Sequence, residues 1–212
     1  TEAALVVEVL RSVGGLPPHI VGLFEEPLGF QQSSGGLYYV FDRRGHSVYA
    51  VDADKKAVRK LLEIGQEFGR IIQPRGFDTS AAGSLVVADA PRGVERVQLF
   101  GPDGVRIGGF MLQARQRTAA LTFGPLVLSG SASIQYAGTN LLISHPESGA
   151  LFTEYSQSGF PIRNIGFLRD TGHEQDLDLH LALNVGFPLV DPTGGLYYVF
   201  VGGRPMFRKY TA

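Results

Sequence analysis

Cysteine is absent from this 212-residue chain, so neither a disulfide nor a thiolate metal centre can be built. That absence leaves the compartment open, because a disulfide-free chain folds in reducing and oxidising surroundings alike. Net charge is nearly absent too. The 19 basic and 20 acidic residues leave a formal charge of −1, which offers no broad attraction to nucleic acid or to an anionic membrane. A nucleic-acid partner is therefore not expected. No apolar run approaches the ~20 residues of a membrane-crossing helix, and residues 1–15 lack the basic start and unbroken apolar stretch of a signal peptide. The chain opens on Thr1 rather than Met, which is compatible with a removed leader or an upstream segment. There is no G-x-S-x-G elbow, no P-loop, and no dinucleotide fingerprint between a strand and a helix.

What the chain does have is glycine, 28 residues of it, together with 12 prolines, 14 Phe and 8 Tyr. Short aromatic-rich strands joined by many tight turns require that mixture. Hydrophobic residues make up 44% and charged residues 18%, enough apolar surface for a core and too little charge for a disordered chain.

The chain repeats itself. The heptapeptide GGLYYVF runs from Gly35 to Phe41 and returns unchanged from Gly194 to Phe200, with weaker copies GSLVVAD from Gly83 and GTNLLIS from Gly138. Aligning Leu37, Leu85, Leu141 and Leu196 gives intervals of 48, 56 and 55 residues, a little longer than a common propeller blade, and the excess is expected in loops. Upstream of the repeated strand, Pro27 to Phe30 (PLGF), Pro74 to Phe77 (PRGF) and Gly186-Phe187 mark an inner strand. Downstream, SVYAVD (47–52), RVQLF (96–100), ALFTEY (150–155) and PMFRKY (205–210) mark a third strand. Turns at Pro102 to Gly104 and Gln157 to Gly159 then lead into a fourth, read in VRKLLEIG, VRIGGFML and IRNIGFL. Between Lys55 and Phe68 the spacing of Val58, Leu61 and Leu62 also suits a helix, but the repeat requires a strand there.

Four antiparallel strands per unit describe an all-β chain of propeller blades, which cover one another's faces when stacked. A β-sandwich with coincidentally similar strands is the alternative, and the repeated flanks argue against it. The units fall at about 24–68, 69–124, 125–183 and 184–212 within one domain. The fourth lacks a fourth strand, while residues 4–14 supply a surplus one at the start. Two arrangements follow: a four-bladed ring closed by pairing residues 4–10 with Met206 to Tyr210, or part of a larger ring.

The unit G-x-L-x-V-x-D, followed by a strand, a turn and a closing strand, resembles the NHL-like and six-bladed β-propeller superfamily across essentially the whole chain. The resemblance implies a partial six-bladed ring, prone to self-association through open faces, and an extracytoplasmic or periplasmic setting. The Asp that ends the second strand is present as Asp42 and Asp89 but replaced around Ser144 and Val201, marking a divergent member.

Two stretches hold the residue types of a metal site. His173, Glu174, Asp176, Asp178 and His180 lie within eight residues, yet their spacing matches neither a zinc helix nor a calcium loop. If residues 175–180 are extended, Asp176, Asp178 and His180 share one face and the leucines the other, the pattern of a half-buried connector. Glu26 and Pro27 resemble part of the E-G-P-x-W segment of gluconolactonase-type lactonases, in which the Glu is a metal ligand, so the resemblance leaves room for a divalent cation such as calcium. Arg43, Arg44, Arg92 and Arg204, in or near the loop after the second strand, could form a cationic rim for a carboxylate or acidic peptide. Tyr38, Tyr39, Tyr197 and Tyr198 are expected to pack between blades. The function expected is a non-catalytic binding or scaffold propeller that recognises a protein, peptide or small ligand through loops at one end, with no cofactor. The alternative is a metal-dependent hydrolase or lyase of the lactonase type.

Overall fold

The computed structural model describes residues 16–112, 120–123, 126–129, 133–144, 146–191, 193–203 and 206–211. Four antiparallel sheets follow one another along the chain, each a meander in sequence order. The first contains β1 (Pro27–Gln32), β2 (Tyr38–Asp42), β3 (Ser47–Val51) and β4 (Val58–Leu62). The second contains β5 (Gly76–Thr79), β6 (Leu85–Asp89), β7 (Arg96–Phe100) and β8 (Arg106–Met111). A hairpin, β9 (Ala120–Phe123) and β10 (Leu126–Ser129), follows. The third sheet contains β11 (Gln135–Ala137), β12 (Asn140–Ser144), β13 (Ala150–Tyr155) and β14 (Pro161–Phe167). The fourth contains β15 (Gly186–Val190), β16 (Leu196–Phe200) and β17 (Met206–Tyr210). The inner strands β1, β5, β11 and β15 contact one another in that order, so the sheets are arranged as four blades of a β-propeller. The stretch from Lys55 to Phe68 is a strand where the repeat required one, at β4. The proposed pairing of residues 4–10 with Met206 to Tyr210 falls on residues outside those described.

Alternating residues of β6 and β12 are buried against opposite neighbouring blades. Leu85 and Val87 pack with Tyr39, Phe41 and Val48 of blade 1, whereas Val86 and Ala88 pack with Leu141 and Ile143 of blade 3. Leu142 and Phe152 of blade 3 in turn meet Leu196, Tyr198 and Phe200 of blade 4, with the Phe152 and Tyr198 rings stacked at 5.6 Å. Burying each such side chain contributes about 1.5–3 kcal/mol. The remaining face of blade 1 is covered by residues 16–24, including the short helix α1 (Pro18–Val21), whose Ile20 packs on Val40 and Val51.

The two identical heptapeptides do not occupy the same register. In blade 1 the turn before β2 runs from Ser33 to Gly36, and in blade 4 the equivalent turn runs from Asp191 to Gly194, each closed by the glycine N–H donating to the first residue's carbonyl. Across the sheet, Leu85 faces Phe100, Leu141 faces Tyr155 and Leu196 faces Tyr210, but in blade 1 it is Tyr38 that stands opposite Val51. Leu85, Leu141 and Leu196 are therefore equivalent as expected, while Leu37 is displaced by one residue. A one-residue slip turns every side chain to the other face. Accordingly Tyr39 and Phe41 face forward into blade 2, while their sequence counterparts Tyr198 and Phe200 face backward into blade 3. The cause is the Gly-Gly pair, which offers two residues able to take the left-handed conformation of the turn: Gly36 takes it in blade 1 (φ +84°) and Gly194 in blade 4 (φ +93°).

The excess length of the second and third intervals is not all loop. The hairpin β9–β10 lies between blades 2 and 3, and the helix α2 (Leu177–Leu183) lies between blades 3 and 4. The helix corrects the extended reading of residues 175–180. The Asp176 carboxylate accepts the Leu179 N–H and caps the helix, and within the helix only Leu181 is buried while Leu177 and Leu179 stay exposed. Strict alternation over so short a stretch does not distinguish a strand from a capped helical turn.

At the centre, Asp78 of β5 joins three inner strands: one carboxylate oxygen accepts from the Gln31 side-chain amide of β1 at 2.9 Å and the other from the Tyr136 N–H of β11 at 2.7 Å. Burial raises its pKa to about 6, with the backbone hydrogen bonds opposing only part of the effect.

Two outcomes test this architecture. Gly36→Ala and Gly194→Ala each cost about 1–2 kcal/mol in urea unfolding, while Gly35→Ala and Gly195→Ala are near neutral; the reverse pattern at either heptapeptide removes the slip. Because the folded pKa of Asp78 lies above its unfolded value, its contribution to stability is full below about pH 4 and lost as pH rises through about 6. Asp78→Asn, which keeps an acceptor for Tyr136, should remove that loss, a difference of up to about 3 kcal/mol read by unfolding at pH 4 and pH 7.

Candidate functional site

In an antiparallel meander the β1–β2 and β3–β4 turns lie at one end of the blade, and the β2–β3 loop and the crossover to the next blade lie at the other. The turn end is built from tight four-residue turns at Ser33–Gly36, Ser80–Gly83 and Asp191–Gly194. The loop end carries the longer segments, and every described candidate residue from the sequence belongs to it. Arg43 and Arg44 lie in the β2–β3 loop, Arg92 in the β6–β7 loop, Glu26 just before β1, and residues 173–180 in the crossover to blade 4. Arg204 is outside the described residues.

The final residue of the second strand organises this end. The buried carboxylate of Asp42 accepts the N–H groups of Glu25, Glu26 and Gly45, tying the start of β1 to the loop after β2. Asp89 does the same in blade 2, accepting the Ile72 N–H and a bidentate pair of bonds from Arg96, with Nη2 at 2.6 Å and Nε at 2.8 Å. Arg96 is 3% exposed, and it also donates to the carbonyls of Gln66 and Arg70, so one guanidinium holds the crossover from blade 1. In blade 3, Ser144 instead bonds Tyr198 of blade 4 at 2.7 Å, and Tyr198 donates to the Asn184 carbonyl. In blade 4 the cation Arg169 donates to the carbonyls of Leu183 and Gly202 and lies 4.9 Å from the Phe200 ring, its pKa lowered by burial and by Arg208.

The structure does not gather the sequence candidates into one site. Glu26 is engaged by Arg43 through two hydrogen bonds, of 2.6 and 3.2 Å, and Arg44 makes a loose surface pair with Glu25. In the crossover to blade 4, Glu174 accepts the Thr171 and Gly172 N–H groups, and the Thr171 bond leads the contacts that hold its carboxyl at about 2. His180 meets the Thr171 hydroxyl at 2.8 Å and Glu174 at 3.5 Å. With Asp176 capping α2, these residues secure a loop and a helix start. Among the described residues no three His, Asp or Glu side chains converge as a metal site.

What the sequence reading missed is a cavity of about 620 Å³ where the crossover from blade 1 meets the β6–β7 loop. Phe68, Val94 and Met111 give it exposed apolar walls, and Gln66, Arg92 and Arg96 give it polar ones. The Phe68 ring lies 4.5 Å from the Arg106 guanidinium and 5.3 Å from that of Arg96. Arg92 was legible as a loop cation, but Phe68 was assigned to the end of a strand, and nothing local distinguishes it from a packed aromatic. A smaller cavity of about 240 Å³, almost wholly apolar, lies beside α1 between Val21, Phe24, Leu28 and Phe30.

Removing Arg96 leaves Asp89 as a buried unpaired charge and frees the blade 1 crossover. Arg96→Ala is expected to cost about 3–5 kcal/mol in urea unfolding, against about 1 kcal/mol or less for Arg44→Ala at the surface.

No family model matches the chain, and no curated protein matches it. Among solved structures it is similar to a protein of unknown function from Bacteroides caccae, at 12% identity and a TM-score of 0.49 over 86% of this chain and 60% of that one. It is also similar to virginiamycin B lyase from Staphylococcus aureus, at 9% identity and a TM-score of 0.43 over 88% of this chain and 56% of that one. A protein of Bacteroides fragilis described as exported gives 10% identity and a TM-score of 0.44 over 89% of this chain and 72% of that one. The chain thus spans less than two thirds of the length of the first two, and similarity at this level bears on neither activity nor ligand.

Proposed function

We propose that this chain is a non-catalytic binding or scaffold module that recognises a protein, peptide or small ligand through the loop end of its propeller. The observation that carries the reading is a division of labour among the loop-end side chains. The acids that a metal-assisted hydrolase or lyase would require are engaged in holding the framework: Glu26 by Arg43, Glu174 by two backbone N–H groups, Asp176 at the start of α2. Phe68, Arg92, Val94 and Met111 stand exposed around an open cavity. A catalytic centre needs several ligands converging on one ion with an open position, whereas recognition needs an exposed surface combining apolar area with oriented charge.

Titration calorimetry with calcium, zinc and manganese tests this reading. No binding in the micromolar range is expected. Micromolar binding abolished by Glu26→Gln or by Asp176→Ala would establish the metal-dependent alternative instead.

A further inference from the structure

Resting on the binding-module reading, we propose that the cavity between the blade 1 crossover and the β6–β7 loop takes a peptide segment of a partner protein in which a carboxylate lies beside a large apolar side chain. Charge is the first reason. Arg92 and Arg96 line the cavity and Arg106 lies against its Phe68 wall; of the charges there, Arg96 is neutralised by Asp89, and the lining Glu67 is neutralised by Arg70. Arg92 and Arg106 are not paired with a carboxylate among the described residues. Arg92 donates its Nε to the neutral Gln66 side chain, and the buried Nε of Arg106 has no hydrogen-bond partner among the described residues while its guanidinium lies against Phe68. Among the described residues, Arg92 and Arg106 thus place two positive charges without a carboxylate partner at and beside one cavity, in a chain of net charge −1.

Geometry is the second. Arg92 sits between Pro91 and Gly93 with φ +54° and ψ 28°, a left-handed conformation that is unfavourable for a residue with a side chain. Its Nε bond to Gln66 restrains the guanidinium and leaves both terminal nitrogens for a ligand, the fork that matches a carboxylate. The third reason is the apolar wall: Phe68 is 61%, Met111 47% and Val94 45% exposed around the same cavity. An aromatic, a methionine and an arginine together are the composition of a recognition patch. A free phosphate would use the guanidinium and leave that wall in water, and a purely apolar ligand would leave the charges uncompensated. An acidic peptide with a large apolar side chain satisfies both.

Fluorescence anisotropy on the full chain tests the proposal with a fluorescein-labelled octapeptide alternating Glu with Leu and Phe. Its counterparts carry Gln in place of Glu, or Ala in place of Leu and Phe. The acidic, apolar peptide should bind, each counterpart should bind about tenfold more weakly, and roughly 0.5 M salt should weaken binding further. Arg92→Ala and Phe68→Ala should each weaken it about tenfold, and Arg92→Glu should abolish it, with unfolding temperatures unchanged for the two Arg92 variants. Binding unaltered by both Arg92 substitutions would place the peptide elsewhere on the loop end and overturn this site while leaving the binding-module reading intact. Failure of all three peptides to bind, or displacement by sodium phosphate or acetate as effective as by unlabelled peptide, would overturn the peptide as ligand. The binding-module reading itself fails only through the metal titration.

Discussion

A four-stranded sheet has two faces and cannot cover both by itself, and most of this molecule follows from how each blade solves that constraint with its neighbours. In blades 2 and 3 the second strand is apolar on both sides because both sides meet another sheet. In β6, Leu85 and Val87 point toward blade 1 and Val86 and Ala88 toward blade 3, whereas the other face of blade 1 meets residues 16–24. Burial on two faces leaves few places for polar side chains, and some of those that do enter bridge blades. Asp78 joins the inner strands of three blades, and Ser144 and Tyr198 join blade 3 to blade 4. Such bridges restrict how the sheets can shift relative to one another, and at Asp78 the cost of burying a carboxylate makes the arrangement sensitive to pH.

The same constraint separates the ends of the propeller. Tight turns close one end, so the segments long enough to carry independent chemistry lie at the other. There the polar residues divide between framework and surface. Asp42, Asp89, Arg96, Glu174 and Asp176 hold backbone groups that would otherwise lack partners, while Arg92, Phe68 and Met111 remain open to solvent. Charged side chains in a loop are thus poor guides to function until their partners are known. Glu26 has the residue type of a metal ligand, and its carboxylate is held by Arg43.

Strand content, the four-unit repeat and the turn positions were legible in the sequence because each is a local property. Period-two apolar patterning shows a strand wherever it forms, and a glycine flanked by small polar residues shows a turn. The strand at Val58–Leu62, ambiguous on its own, was resolved by its place in the repeat. The terminal Asp of the second strand was legible as a motif, though not as the group that holds the N–H groups of Glu25, Glu26 and Gly45.

Tertiary structure decided what local pattern leaves degenerate. Two adjacent glycines both permit a left-handed turn, so an identical heptapeptide can enter a sheet in either of two registers, and the turn before it determined that Tyr39 faces blade 2 while Tyr198 faces blade 3. The alternating DLDLHLAL stretch became a helix because Asp176 caps it and Leu181 has a cluster to enter. Phe68 became part of an exposed cavity because the Arg96–Asp89 pair, formed by residues of blade 2, holds the crossover that carries it. The sequence by itself determined which segments are strands and where they turn, since those depend on neighbours along the chain. Which face each strand presents, and which charges are left for a ligand, depends on groups tens of residues away that meet only when the blades stack.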